Sequence, residues 1–136
     1  MYDALDIAKY IVSKCINEKS PITNLQLQRI LYIIQKDFLK RGSPAFADSI
    51  EAWGFGPAIP RVYYHFGTFG AEPITFIFDS PSINPLDALR IMDVVRTKRD
   101  YDPYDLSQET LDNAWAQTYK NGEGNRQKIP LDALIK

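Results

Sequence analysis

Hydrophobic and polar residues recur with a helical period in two long stretches near the start of the chain. In residues 3–18 apolar positions return every three or four residues, which predicts an amphipathic α-helix with one buried face. A second helix is predicted from Thr23, whose side chain forms a capping box with Gln26, to Gly42, which acts as its C-terminal cap. Because only a few residues separate the two stretches, they are expected to form an αα-hairpin.

The rest of the chain carries further helix signals. Asn84-Pro85 and Asp102-Pro103 each place a capping side chain directly before a proline at the first helical position. The helices predicted after the hairpin lie at residues 60–66, 84–98, 102–110, 111–119 and 130–135. The residues expected to face inward in the helix that starts at Asn84 are Leu86, Leu89, Met92 (or Ile91) and Val95.

The strongest β signal is the run from Ile74 to Phe78, in which β-branched and aromatic residues follow one another up to the turn residues Asp79-Ser80-Pro81. A single strand is not stable alone. This segment therefore either pairs with residues 49–53 in a small ribbon or offers its edge to another protein. Of the two, we expect the internal pairing.

These elements predict a mainly α fold: a compact helical domain with an N-terminal αα-hairpin and a minor β element at about 49–53 and 74–78. The chain has 136 residues, of which 45% are hydrophobic and 24% charged, and this is ordinary usage for a globular domain. We find no repeat, linker or low-complexity tract. One domain over residues 1–136 is therefore expected.

The composition also bears on location. No apolar run approaches the ~18 residues that a membrane span requires, and acidic residues occur early, at Asp3 and Asp6, in place of an apolar secretory segment. The single cysteine, Cys15, has no internal disulfide partner and is expected to be a small buried hydrophobe. These features predict a cytoplasmic protein without membrane association.

The charge balance does not favour nucleic acid as a partner. The net charge is −1, whereas binding to phosphates through counterion release needs a clustered positive surface. Two basic groups lie in the last turns of predicted helices, where cations complement the helix dipole. The alternative for them is a phosphate-contacting patch. The groups are Lys36, Lys40 and Arg41, and Arg96, Lys98 and Arg99.

The chain offers few side chains for catalysis or metal binding. His65 is the one histidine and Cys15 lies far from it in sequence, so a zinc site of the Cys/His type lacks ligands. No Gly-x-Ser-x-Gly elbow and no phosphate-binding glycine loop is present. We therefore expect no catalytic residue, no metal, no cofactor and no enzyme activity. His65 is expected to cap the third helix with a partly exposed ring, or else to be a pH-sensitive or partner-facing group.

The most distinctive segment runs from Ile50 to Tyr63 and combines glycine, proline and large aromatic residues. Gly54 and Gly56 permit positive φ, while Pro57 and Pro60 exclude a continuous helix or a central strand. The segment is therefore predicted to be a shaped loop that leads into a helix at Pro60.

Aromatic residues concentrate around this loop. Buried rings would build the core, whereas Tyr and Trp at a surface are common anchors of protein interfaces, and both alternatives stay open. Glu51 and Gln28 are expected to accept hydrogen bonds from backbone amides of the loop. The possible partner-binding residues are Trp53, Phe55, Tyr63 and Tyr64.

Two segments carry a family resemblance. The second helix contains Asn24-Leu25-Gln26-Leu27-Gln28-Arg29-Ile30-Leu31-Tyr32, and the loop contains Glu51-Ala52-Trp53 followed by Gly56-Pro57, Pro60 and Val62-Tyr63. Both resemble the Panacea domain, a bacterial and phage family that includes SocA-like antitoxins and phage-associated GepA-like proteins. A later motif around Trp115 is partly present, since Leu111 and Ala114 stand where the family has His and Pro.

The resemblance runs from about residue 4 to the end of the chain and implies which positions matter. The family-motif residues are Asn24, Leu25, Leu27, Gln28, Leu31, Tyr32, Glu51, Ala52, Trp53, Gly56, Pro57, Pro60, Val62, Tyr63 and Trp115.

The function that the resemblance implies is protein binding: a toxin-neutralising antitoxin or a proteolytic adaptor of a bacterial or phage toxin–antitoxin system. The implied partner is a protein, namely a cognate toxin, a protease, or a host or defence protein. Two alternatives remain open. One is a phage or mobile-element protein that inhibits a host or defence protein, and the other is a DNA-binding autoregulator.

Overall fold

Within residues 1–79 and 82–136, which a computed structural model describes, the chain forms seven α-helices and one two-stranded antiparallel sheet. The predicted fold class, mainly α with a minor β element, is confirmed. No helix in these residues is long and apolar enough to cross a bilayer. The elements are α1 (Ala4–Asn17), α2 (Asn24–Lys40), β1 (Glu51–Trp53), β2 (Gly56–Ala58), α3 (Pro60–His65), α4 (Pro85–Lys98), α5 (Pro103–Thr110), α6 (Asn113–Tyr119) and α7 (Leu131–Ile135).

Helix α2 is the centre of the fold and contacts β2 and the helices α1, α3, α4, α5 and α7. It begins as predicted: the Gln26 amide donates to Thr23 Oγ1 at 3.2 Å, and the Thr23 amide donates to Gln26 Oε1 at 2.9 Å. Residues 18–23 join α1 to α2, and the two helices pack together as the predicted αα-hairpin requires. The apolar α2 side chains that recur with the helical period are all buried: Leu27, Ile30, Leu31, Ile34 and Phe38.

The β pairing differs from the prediction. Strand β1 pairs with β2, with Trp53 opposite Gly56 across a two-residue turn, whereas residues 74–78 form no strand. The physical reason is the entropy cost of loop closure, which is smaller for the two-residue turn between β1 and β2 than for the long connection to residues 74–78. Residues 126–129 occupy the other edge of β1, so no edge of β1 is left for residues 74–78. Of the turn signal that was expected to end that strand, Ser80-Pro81 lie outside the described residues.

The polar segment 122–128, which the sequence suggests is a mobile loop, is tied to the sheet. The Ala52 amide donates to the Gln127 carbonyl at 2.9 Å, and the Ile129 amide donates to the Ile50 carbonyl at 2.8 Å. Gly124 closes the preceding turn by donating its amide to the Tyr119 carbonyl at 2.8 Å. Residues 124–129, called the strap below, therefore hold a fixed position beside β1.

Helix α4 buries a different stripe from the one predicted. Ile91, Met92 and Val95 are in the core, but Leu86 is 57% and Leu89 62% exposed. Since residues 91, 92 and 95 define the face of α4 that points to the core, Leu86 and Leu89 fall on its outer face. The prediction that Leu86 and Leu89 face inward is wrong.

Two arginines of α4 and its C-cap tie that end of the helix to the end of α1. Arg96 Nη2 lies 2.6 Å from Glu18 Oε2, and Arg99 Nη2 lies 2.9 Å from Glu18 Oε1. Hydrogen bonds from Arg96, with support from Arg99, lower the pKa of the Glu18 carboxyl from its ordinary value of 4.5 to about 2. The carboxylate therefore stabilises the fold most when it is charged.

Substituting Glu18→Gln should lower the free energy of unfolding by about 1 kcal/mol at neutral pH, since the pair is partly solvent-screened. Because the folded-state pKa lies below the unfolded one, this contribution is complete above pH 4.5 and is lost as the pH falls towards 2. Urea titrations at several pH values measure it. The exposed Glu123, which has no ion pair in the described residues, provides the control Glu123→Gln. A difference between wild type and Glu18→Gln that persists unchanged at pH 2 would contradict this assignment.

Candidate functional site

The four aromatic residues proposed as partner contacts come together in the structure. Trp53 lies at the centre, with its ring centroid 5.7 Å from Phe55, 5.1 Å from Tyr63 and 5.9 Å from Tyr64. The β1–β2 turn positions the first two residues and α3 positions the two tyrosines. Most of these contacts are edge-on or tilted, the geometries that aromatic quadrupoles favour. We call these four residues the aromatic cluster.

The cluster is part core and part surface, so each of the two alternatives left open by the sequence applies to some of its rings. Trp53 is only 6% exposed, while Tyr64 is 58% exposed; Phe55 and Tyr63 are half-buried. Trp53 therefore forms the buried base on which the other three rings pack. The ring surface open to a partner belongs to Phe55, Tyr63 and Tyr64.

Arg126 of the strap covers Trp53, and the sequence prediction missed it. Its guanidinium lies 4.4 Å from the Trp53 ring centroid, and Nη1 donates to the Tyr64 hydroxyl at 3.0 Å. Its backbone adopts φ +67°, an uncommon conformation for a residue other than glycine or asparagine. Two glycines, Gly122 and Gly124, stand just before it. That spacing is the one signal in the sequence that could have indicated a shaped turn.

Two further residues of the family motif hold Trp53 in place. The Trp53 indole N–H donates to Glu51 Oε1 at 2.9 Å, so Glu51 accepts from this ring, not from the loop amides as expected. The Trp115 indole N–H donates to the Trp53 carbonyl at 2.8 Å. Trp115 in turn stacks on Tyr119, with centroids 4.9 Å apart. These bonds connect α6 to the sheet directly behind the cluster.

A buried chain of hydrogen bonds fixes the cluster to α2. The Ile59 amide donates to Gln28 Oε1 at 2.8 Å, Gln28 Nε2 donates to Asn24 Oδ1 at 3.1 Å, and Asn24 Nδ2 donates to the Tyr63 carbonyl at 3.0 Å. Gln28 is fully buried and Asn24 nearly so. The expectation that Gln28 satisfies a backbone amide of the loop is confirmed. This chain of hydrogen bonds through Gln28 and Asn24, called the relay below, positions the start of α3, and with it Tyr63 and Tyr64.

A cleft of about 310 Å³ opens beside the cluster. The first turn of α2 forms one wall through Thr23, Asn24 and Leu25, and Phe55 and Tyr63 form another. It has room for a large side chain of a partner. The cleft and the exposed rings are adjacent, so one protein surface can engage both.

Leu111 and Ala114, which stand where the resembled family has His and Pro, are both packed against the body of the protein. Leu111 is half-buried at the end of α5, and its Cδ2 would lie 3.6 Å from a Cβ placed on Gly56. Ala114 is 8% exposed in α6. Gly56 itself has φ +133°, which a residue with a side chain would adopt only with strain. Leu111 therefore lies against strand β2, whereas Ala114 is buried within the helical part of the fold.

Tyr32 connects α2 to α6 through a carboxylate that the sequence prediction did not single out. Its buried hydroxyl donates to Asp112 Oδ1 at 2.9 Å, and Lys36 Nζ lies 2.6 Å from Asp112 Oδ2. Burial and the neighbouring Asp112 charge raise the pKa of the Tyr32 hydroxyl. Asp112 also caps α6 by accepting from the Trp115 amide at 3.0 Å. This network is structural support behind the cluster.

The remaining motif residues build the scaffold. Leu27, Leu31, Ala52 and Val62 are buried in the core, Gly56 and Pro57 lie in β2, and Pro60 is the first residue of α3. His65 is exposed and packs its ring on Phe66 and Phe78, at 4.8 and 5.4 Å between centroids. Partial burial, with the Lys9 and Arg61 charges, lowers the pKa of His65.

Most of the basic residues at helix ends are engaged by carboxylates. Lys36 pairs with Asp112, Arg41 with Asp37, Lys98 with Glu109, and Arg96 and Arg99 with Glu18. In the residues described, no three or more His, Cys, Asp and Glu side chains gather as a metal site would require.

Comparison with known proteins gives one informative similarity. No family model and no solved structure matches the chain. Antitoxin SocA of Caulobacter vibrioides is 38% identical over 73 residues, which make up 53% of this chain and 39% of that relative. The matched part thus spans about two fifths of the relative's length.

Proposed function

We propose that this chain is a protein-binding module of the antitoxin type, which neutralises a toxin by binding it through the aromatic cluster, Arg126 and the adjoining cleft. The similarity to Antitoxin SocA is the observation that carries the proposal. The structure adds a surface suited to the task, because Tyr and Arg are the residues most enriched among the anchors of protein interfaces.

The support behind the cluster favours tight binding. Both ends of the exposed ring surface are fixed before a partner arrives: the relay through Gln28 holds α3, and the strap holds Arg126. A surface that is already ordered loses less conformational entropy on association. The proposed partner therefore meets a nearly rigid site, with Trp53 as its base and Tyr64 as its most exposed ring.

The proposed activity needs no bond to be made or broken. Surface complementarity is sufficient both for direct neutralisation and for delivery of the toxin to a protease, and the same cluster would serve either outcome. DNA recognition is the weaker candidate. The cations at the helix ends are largely paired with carboxylates, so they offer little free charge to phosphates.

Growth rescue tests the proposal. The chain is co-expressed with the neighbouring toxin gene of its own genome, and the wild type is expected to restore growth. The double substitution Phe55→Ala, Tyr64→Ala should abolish rescue, because it removes two of the three rings open to a partner while Trp53 keeps its bonds to Glu51 and Trp115. Tyr104→Ala is the control, since Tyr104 is 68% exposed on α5. Failure of the wild type to rescue, or full rescue by the double variant, would refute the proposal.

A further inference from the structure

Arg29 in α2 is a buried cation without a counter-charge. The residue is 8% exposed, and its Nε is buried without a hydrogen-bond partner. It forms no ion pair with a carboxylate of the described residues. Burial lowers the pKa of Arg29, yet a guanidinium stays protonated at neutral pH. A buried charge without a counter-ion is costly, so an anion that reached this position would be bound.

The Arg29 side chain extends towards the cleft that adjoins the aromatic cluster. Residues four apart share one face of an α-helix, and Leu25, one turn before Arg29, lines the cleft. Helical side chains lean towards the N-terminus, so Arg29 covers the turn that contains Leu25. Further along α2 the Asp112 carboxylate is already bound by Tyr32 and Lys36. The counter-charge that Arg29 lacks therefore has to arrive through the cleft.

The cleft also contains the positive end of α2. Thr23, the N-cap of this 17-residue helix, and Leu25, its second residue, both line it. The Thr23 hydroxyl accepts from the Gln26 amide, whereas the Leu25 amide has no acceptor within the part of the chain that the structure describes. Unsatisfied amides in the first turn carry the positive pole of the helix dipole. The described residues that line the cleft include no carboxylate. The helix end and Arg29 thus favour the same kind of ligand.

We infer that the cleft binds a carboxylate presented by an acidic side chain of the protein partner, with the Arg29 guanidinium and the Leu25 amide as donors. The inference rests on the proposed function, because it gives the chemistry of that same partner. The parallel N–H groups of a guanidinium match the two oxygens of a carboxylate. The cleft, of about 310 Å³, has room for an aspartate or glutamate side chain. Arg126, beside Tyr64, also has no ion pair in the described residues, so an acidic partner surface is complemented at two points.

Thermal unfolding in sodium acetate and in sodium chloride of equal ionic strength tests the site without a toxin. Acetate supplies the carboxylate and binds the folded state, so the wild-type midpoint should be about 2 °C or more higher in acetate. Arg29→Met should abolish this difference. In chloride it should unfold no lower than the wild type, because an apolar side chain of similar length replaces an unpaired buried charge. Arg61→Met is the control, since Arg61 is exposed and paired with Asp3, and it should keep the full acetate shift.

A second variant and the toxin make the outcome decisive. Ala71 is an exposed residue that lines the cleft, so Ala71→Trp should fill the cleft and abolish the acetate shift while Arg29 remains. Arg29→Met should also weaken binding of the proposed toxin partner by about tenfold or more. Equal wild-type midpoints in the two salts overturn the inference, as does an acetate shift or a toxin affinity that Arg29→Met leaves unchanged. A wild type that does not bind the toxin refutes the proposed function, while the acetate measurement decides separately whether the cleft takes a carboxylate.

Discussion

Replacing Gly124 by alanine is expected to destabilise the protein by about 3 kcal/mol, near the upper end of the usual cost of overpacking. A Cβ at this position would lie 1.8 Å from the Thr118 carbonyl oxygen and 3.3 Å from the Tyr119 carbonyl oxygen. Both are backbone atoms at the end of α6, so no side-chain rotation relieves the clash. The strap must move, and Arg126 then loses its position over Trp53. Thermal unfolding should show a midpoint about 10 °C below that of the wild type.

Gly67→Ala is the matched control for this substitution. No atom lies within 4 Å of a Cβ built on Gly67, and its φ is not positive. Its free energy of unfolding should stay within about 0.5 kcal/mol of the wild type. If Gly124→Ala unfolds at the wild-type midpoint, the strap is not packed against α6 as the structure has it.

Replacing Gln28 by leucine should remove about 3 kcal/mol of stability and also weaken binding of the partner. Leucine has a similar volume but leaves the buried Ile59 amide without an acceptor and the Asn24 amide group without its neighbour. Each unsatisfied buried polar group costs about 1–3 kcal/mol. Because the relay ends at the Tyr63 carbonyl, α3 and the exposed rings should lose their fixed orientation.

Gln35→Leu separates the two effects. Gln35 is also fully buried in α2, but its amide group bonds to Ala45 and Phe46, on a different segment from the cluster. Both variants should unfold at lower urea concentration than the wild type. At temperatures where both are folded, only Gln28→Leu should lose affinity for the proposed toxin partner. Equal affinity of the two variants would mean that the relay does not orient the cluster.

Local signals in the sequence were sufficient for most of the helices. The capping box at Thr23 and the prolines at positions 60, 85 and 103 each act within one turn of helix, so the residues alone determine where helices begin. The buried face of α2 likewise followed from its period.

Pairings between distant segments were not accessible in this way. Residues 74–78 do have a high β propensity, but propensity does not determine which segment a strand pairs with. The two-residue turn at Gly54-Phe55 placed β2 next to β1, so β1 paired with β2 and not with residues 74–78. Leu86 and Leu89 have the period of a buried stripe, yet the docking of α4 turned that stripe outward.

The rings of the candidate site and one of its supports, Gln28, were predicted from the sequence, whereas Arg126 and Asp112 were missed. Trp53, Phe55, Tyr63 and Tyr64 are recognisable because large aromatic residues cluster within a short stretch of sequence. Arg126 reaches Trp53 only because the strap pairs with the edge of β1, and Asp112 reaches Tyr32 only through tertiary packing. No local pattern encodes contacts of that separation.

The affinity of the purified chain for the proposed partner, the toxin encoded by a neighbouring gene, is the most direct test of the central claim, that the cluster around Trp53 is the binding surface. Titration calorimetry would compare the wild type with Tyr64→Ala and Tyr104→Ala, which remove exposed tyrosines from α3 and α5 respectively. We predict that Tyr64→Ala weakens binding by about tenfold or more, as expected for an interface anchor, and that Tyr104→Ala binds like the wild type. Equal dissociation constants for all three proteins would contradict the account.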